Sequence, residues 1–214
     1  METDRGEDKL VKIVWASEEL FLRNGYDRTT MRMIQSSTGL HSGSIYYIVE
    51  GKDGILRMEA EAFIGDILCR SSRISRETGD PRMQILLPPA FLLHSASVSG
   101  RLSALLGHMF ANGSVLRVFS SMAAEWGTRA VKMGGEEMEN LFGFLYGGIG
   151  GMIRMDADYE SAMRTVLRFM GTLTDTEEPG LPDRIREIVS REGLRFHDTP
   201  IEDIDRIFGD GYDE

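Results

Sequence analysis

Four histidines and one cysteine are the side chains here best suited to metal or nucleophilic chemistry. Their spacing supports neither. His94 and His108 would lie roughly 21 Å apart on one helix, too far to share a metal ion. His197 has no partner at a recognised ligand spacing. Cys69 stands alone, which excludes an internal disulfide and suggests a reducing compartment. On an apolar-rich helical pattern it is expected to be buried rather than redox-active. No nucleophile, base and acid fall into a triad-like order. The expectation is therefore a protein that is not an enzyme, with no cofactor and no metal.

A different chemistry is concentrated in residues 38–52, "TGLHSGSIYYIVEGK". Ser42, Gly43 and Ser44 are small enough to let a helix start approach another surface closely. The free N–H groups and dipole of such a start favour phosphate. Ile45 and Val49, four apart, can anchor the helix inward. Tyr46 and Tyr47 then point to different sides, so at least one faces outward. Lys52, just beyond, is placed for a phosphate contact, as are Arg28 and Arg32. The elements on either side fit this use. Gly39 permits the positive φ of a tight turn between two short helices. Such a pair forms a helix-turn-helix, whose second helix lies in the DNA major groove.

The rest of the chain supplies helices to carry that unit. Leu10, Ile13, Val14, Ser17, Leu20 and Phe21 repeat at three- and four-residue intervals, and Asn24-Gly25 ends the stripe. Thr29-Thr30 can cap a second helix over 31–37, with Met33 and Ile34 directed inward. A third runs over 42–49. The Gly51-Lys52-Asp53-Gly54 turn leads into a long fourth through Ile55, Leu56, Met58, Ala62, Phe63, Ile67 and Leu68. After the Gly79-Asp80-Pro81 break, helical patterns cover about 82–98, 101–111, 114–133, 136–153 and 157–173. Then "TDTEEPGLPD" reads as an acidic linker before short helices at 183–192 and 201–208. No alternating strand pattern of any length occurs. The expected fold is all-α, with domains at 1–53 and 54–173 and an acidic extension at 174–214.

Charge agrees with that division. The net charge is −10, yet residues 9–58 carry seven Lys/Arg against five Asp/Glu, and 174–214 carry five against thirteen. Only the amino-terminal part can face a polyanion. The start, METDRGEDK, does not resemble a signal peptide. The run "NLFGFLYGGIGGMI" is shorter than the roughly 18 residues a membrane span needs. No membrane partner is expected, and the location expected is the cytoplasm.

The segment "LFLRNGYDRTTMRMIQSSTGLHSGSIYYIVEGKDGIL" resembles the DNA-binding domain of TetR-type transcriptional regulators. Leu20-Phe21, Gly25-Tyr26, Thr29-Thr30, Ile34, Gly39-Leu40, Gly43-Ser44-Ile45-Tyr46 and Lys52 carry the resemblance, over about 9–58. It implies a three-helix helix-turn-helix domain followed by a larger helical domain for effector binding and dimerisation. It places Arg28, Thr29, Thr30, Arg32, Ser42, Gly43, Ser44, Tyr46, Tyr47 and Lys52 against double-stranded DNA. Thr30 would cap the second helix and touch phosphate, Tyr46 and Lys52 would contact the backbone, and Ser42, Gly43, Ser44 and Tyr47 would face bases. His41, Ser42, Ile48, Val49 and Glu50 depart from the family's usual residues.

In the body, Phe91, Met109, Phe110, Met122, Trp126, Met133, Phe142 and Tyr146 offer large, adaptable apolar surface. The resemblance makes them the expected lining for a mainly apolar small-molecule effector; plain helical core is the other reading. Gly143, Gly147 and Gly151 form a small-residue stripe that another helix can approach. With Met163, Val166 and Met170 they make the expected homodimer interface, or alternatively a close intrachain contact. The whole is expected to be a ligand-responsive repressor that binds a near-palindromic operator as a dimer and is released by its effector. The rival expectation is a helical small-molecule-binding or protein-interaction module whose helix-turn-helix no longer binds DNA.

Overall fold

The computed structural model describes residues 2–127, 134–173, 178 and 180–208. Helix α1 (Glu2–Asn24) buries Ile13, Phe21 and Leu22 and stops where Gly25 takes φ 81. Helix α2 (Met31–Thr38) starts at Thr30, whose hydroxyl oxygen accepts from the Met33 N–H at 3.3 Å, and ends at Gly39 with φ 64. Helix α3 (Ser42–Ile48) follows directly. Thus the capping residues and the turn glycine expected from sequence occupy those roles.

Helix α4 (Lys52–Thr78) is longer at its start than expected, because Lys52, Asp53 and Gly54 already form its first turn. A further expectation, on Cys69, fails on it. Cys69 is exposed rather than buried, and so is Ala62. Both lie on the stripe of α4 that no neighbouring element covers, while Phe63, Ile64, Ile67 and Leu68 face inward.

Helix α5 (Met83–Val98) is apolar on nearly every side, as a central helix must be. Ile85, Leu86, Leu87, Ala90, Phe91 and Leu92 are all buried. It tolerates Pro88 and Pro89 in its interior, although each removes one helical N–H donor. Around it pack α4, α6 (Gly100–Ala111), α9 (Tyr159–Leu173) and α10 (Leu181–Arg191), while α7 (Gly113–Gly127) and α8 (Gly135–Arg154) pair with each other. The expected helix over 114–133 is described as far as Gly127; Met133 and the rest of it lie outside the described residues.

The acidic carboxy-terminal segment is not a separate unit in the described residues. Leu181, Ile185 and Val189 of α10 are buried on α5 and α9. A small antiparallel hairpin, β1 (Arg195–Phe196) with β2 (Thr199–Pro200), was absent from the sequence expectation. Two residues per strand are too few to show an alternating pattern. Phe196 is fully buried, 5.1 Å from the Phe63 ring of α4. A 3-10 turn (Ile201–Asp203) leads into α11 (Ile204–Phe208).

Polar links complete the assembly. Asp205 of α11 accepts from Ser99 Oγ at 2.8 Å and from the Gly100 and Arg101 N–H groups at 2.7 and 3.1 Å, capping α6 from outside. Burial pushes the Asp205 carboxyl up, but these hydrogen bonds and the Arg101 charge together hold it below the usual carboxylate range. Arg101 in turn donates to the Leu22 and Arg23 carbonyls at 2.8 and 2.9 Å, tying the start of α6 to the end of α1. Arg82 and Asp80 form a bidentate pair at 2.8 and 2.7 Å.

Candidate nucleic-acid interface and body cavity

Helix α3 sorts its short sequence cleanly by face. Ile45 and Val49 are buried against α1 and α2, as their spacing predicts. Tyr46 is 55% and Tyr47 92% exposed, and Ser42 and Gly43 are open to solvent. Ser44 is half-buried. His41 stands at the N-cap and makes no side-chain cap bond, which leaves the first N–H groups of α3 without that partner. On α2, Arg32 and Thr30 are exposed, and Arg28 is exposed in the preceding loop. Met31, Arg32, Gln35, Ser42, Ile45 and Tyr46 border a notch of about 290 Å³ between the two helices.

Two members of the expected DNA-facing set are engaged elsewhere. Thr29 is buried, and its hydroxyl donates to the Leu20 and Gly25 carbonyls at 3.0 and 2.9 Å. It closes the loop between α1 and α2 and has no outward surface. Lys52 donates from Nζ to the Tyr26 and Thr29 carbonyls at 2.9 and 3.1 Å, with Nζ 4.1 Å from the Tyr26 ring centroid. The Tyr26 hydroxyl donates to Asp53, next to Lys52. Burial, the Asp53 hydrogen bond and neighbouring carboxylates raise the Tyr26 pKa. Lys52 thus fastens the first turn of α4 to the α1–α2 loop and holds the frame of the three helices. Glu50, the acid beside α3, lies 3.8 Å from Arg57.

The expected effector lining lies mostly inside the core of the described residues. Phe91, Met109, Phe110, Phe142 and Tyr146 are buried in packed core, and Met122 and Trp126 are partly buried against it. The rings of Phe110, Phe119, Phe142 and Tyr146 lie 5.0 to 6.3 Å apart, close enough to exclude a ligand. Within that cluster the Tyr146 hydroxyl is buried without a partner, and burial pushes its pKa up.

A cleft of about 880 Å³ opens elsewhere, between α5, α6 and the α8–α9 turn. Leu93, Ala96, Ala104, Gly107, Ala111, Met152, Ile153 and Ala162 give it apolar walls. His108, Arg154, Asp156, Asp158 and Tyr159 add polar groups. None of the seven expected lining residues among those described borders it. The legible signal was the opposite of bulk: Gly100, Ala104, Gly107 and Ala111 recur at helical spacing on α6 and leave the space that larger side chains would fill. His108 also reaches the amino-terminal domain, with its ring 5.1 Å from that of Tyr26 and Nε2 3.5 Å from Asp27.

The expected dimer residues divide. Met163, Val166 and Met170 are buried within the protomer, where α9 packs on α5, and cannot meet a partner. A Cβ on Gly143 would stand 3.5 Å from Ser120 Oγ, an ordinary contact within the protomer. Gly147 and Gly151 have open space where a Cβ would stand. Beside them, Phe144 of α8 and Met155, at its carboxy-terminal cap, are exposed large apolar side chains.

No group of His, Cys, Asp or Glu suited to a metal ion occurs among the described residues, and none of their helices is long and apolar enough to cross a membrane. Helices α1 to α3 are ordered as a helix-turn-helix unit, with a mainly helical body behind them. Residues 13–57 match the family described as bacterial regulatory proteins, tetR family, which spans α1 from Ile13 through the first turns of α4. Residues 13–57 thus form a helix-turn-helix domain of this family of transcription regulators. No curated protein and no solved structure gives a significant match.

Proposed function

We propose that the chain is a ligand-responsive repressor, binding a near-palindromic operator as a homodimer. The observation that carries this reading is the outward face of α3. Tyr47 at 92% exposure and Tyr46 at 55% have no packing role, whereas the apolar side chains of the same helix are buried. Tyr47, Ser42, Gly43 and Ser44 would meet base edges; Tyr46, Arg28, Thr30 and Arg32 would meet phosphates. The effector would occupy the cleft of about 880 Å³, whose mixed lining suits an apolar molecule carrying polar groups at one end. Dimerisation would use the outer face of α8, through Phe144, Gly147, Gly151 and Met155. Such a pair presents two α3 helices to successive major grooves.

Binding selection on genomic fragments, at low salt and without effector, tests the reading. A recovered near-palindrome supports it, and failure to recover any fragment would sink it. On that operator, Arg32→Ala should weaken binding to all sequences and flatten the salt dependence by about one phosphate contact, and Tyr46→Phe should weaken it uniformly with the salt dependence unchanged. Tyr47→Ala should change base preference, at about 1–3 kcal/mol for a lost base contact. The commitment of the Lys52 ammonium inside the domain favours the rival module that no longer binds DNA. In that case affinity for any duplex stays weak and shows no preferred site.

A further inference from the structure

We propose that the cleft between α1 and the carboxy-terminal segment binds an organic monocation, an aryl- or alkylammonium, through the Trp15 ring and the Glu18 carboxylate. The inference stands apart from the DNA reading and from the larger body cleft. The site measures about 340 Å³. Trp15, Glu18, Glu19 and Arg23 reach it from α1, Asp198 and Thr199 from the hairpin, and Ile207 and Phe208 from α11. Trp15 and Glu18 are three apart on one helix and share a face.

The charge balance identifies the missing partner. Glu18 is only 7% exposed, yet among the described residues no donor lies within hydrogen-bond reach of its carboxylate. Its nearest counterpart is His197 Nδ1 at 3.8 Å, beyond hydrogen-bond reach, and burial holds that imidazole toward its neutral form. Arg23, at the rim, is already taken by Glu19 at 3.0 Å. Behind Glu18 lies Glu59, wholly buried with both oxygens unpartnered; in front stands Asp198. Burial and Asp198 together push Glu18 up to about 8, so it keeps its proton at neutral pH. A bound cation would reverse that preference and release the proton.

The apolar walls decide the kind of cation. Trp15 is 57% exposed and Ile207 51%, and an indole face attracts an alkylated ammonium electrostatically while the aliphatic wall takes its substituents. A hard metal ion would need several more oxygen ligands than this cleft brings together. Occupation would tie the DNA-binding domain's first helix more tightly to the end of the chain.

Titration calorimetry of the full chain with phenyltrimethylammonium tests the site, with 2-phenyl-2-propanol as the neutral probe of similar shape. One cation should bind per protomer, and about tenfold more tightly at pH 9 than at pH 6. The neutral probe should give no comparable heat. Glu18→Gln, checked for folding by circular dichroism, should weaken binding about tenfold or more and remove its pH dependence. Trp15→Ala, at an exposed position, should weaken it about threefold or more. Absence of binding, equal binding of the neutral probe, or an affinity unchanged in both variants would each overturn the proposal.

Discussion

Glu59 is the least comfortable side chain in the protein. It is fully buried on α4, and neither carboxylate oxygen meets a donor. Burial first, and the neighbouring Glu18 second, raise its pKa well above the ordinary glutamate value. Glu18 is pushed up to about 8. Both therefore keep a proton in the folded chain that the unfolded chain has lost by neutral pH. The folded state binds more protons, so the stability these groups contribute is fully present below pH 4.5 and is lost as pH rises, for Glu18 through about 8. The facing groups are Asp198 and His197 from the hairpin and Tyr26 beyond Glu59. Lowered by burial, His197 acts in the opposite sense only in acid, where the unfolded imidazole takes a proton. Urea unfolding between pH 7 and pH 9 isolates the carboxyls. The wild-type chain should lose at least about 1.4 kcal/mol over that range, a tenfold change in the unfolding constant. Glu59→Gln should make the loss smaller and raise stability at pH 9. A flat profile in the wild-type chain would refute the protonated pair.

At the scale of the element, α8 separates two uses of glycine that look identical in sequence. A Cβ on Gly150 would stand 2.4 Å from the Phe110 Cβ, so this glycine lets α8 rest directly on α6. A Cβ on Gly147 or Gly148 would meet nothing within 4 Å. Gly150→Ala should therefore destabilise the chain by about 1–3 kcal/mol through overpacking. Gly147→Ala should gain up to about 1 kcal/mol of helix propensity in the protomer. Thermal denaturation checks both, and sedimentation shows whether the Gly147 change weakens self-association, as it should if the outer face of α8 is the dimer contact. The stripe itself was legible in the sequence, and so were the caps at Thr30, Gly39 and Gly79, because spacing and φ are local properties. The side of the stripe that touches Phe110 was not, because Phe110 lies forty residues away in the chain. The same limit explains Lys52, whose type suggests phosphate while its surroundings offer two carbonyls. It also explains the body cleft: large apolar residues draw the eye, but they fill space, and the cavity forms where α6 is small.

Across the whole molecule, the carboxy-terminal segment works as a strap. Its described part buries Leu181, Ile185 and Val189 on α5 and α9, Phe196 against Phe63 of α4, and Ile204 and Phe208 near α1 and α6. Arg186 bonds Glu160 at 2.6 Å, Arg70 bonds the Glu192 carbonyl at 3.2 Å, and Asp205 caps α6. Body and amino-terminal domain are thus fastened by the same thirty-odd residues that the acidic composition alone would assign to a solvated end. The hydrophobic residues decide the outcome here, because burying each large side chain stabilises by about 1.5–3 kcal/mol while exposed acids contribute little. Ending the chain after Leu173 should consequently do more than trim charge. It would expose the lower faces of α4, α5 and α9, and the product should melt well below the full-length chain or aggregate. Phe196→Ala offers the milder test. It should cost about 3–5 kcal/mol in urea unfolding, the range for emptying a buried aromatic site, without touching any residue of α3. A truncated chain that kept its melting temperature, together with a Phe196→Ala variant as stable as wild type, would show that the strap is only resting on the body. In that event the Arg101 hydrogen bonds to the Leu22 and Arg23 carbonyls, worth about 1 kcal/mol each, and the direct packing of α1 on α6 would have to hold the two helices together without Asp205.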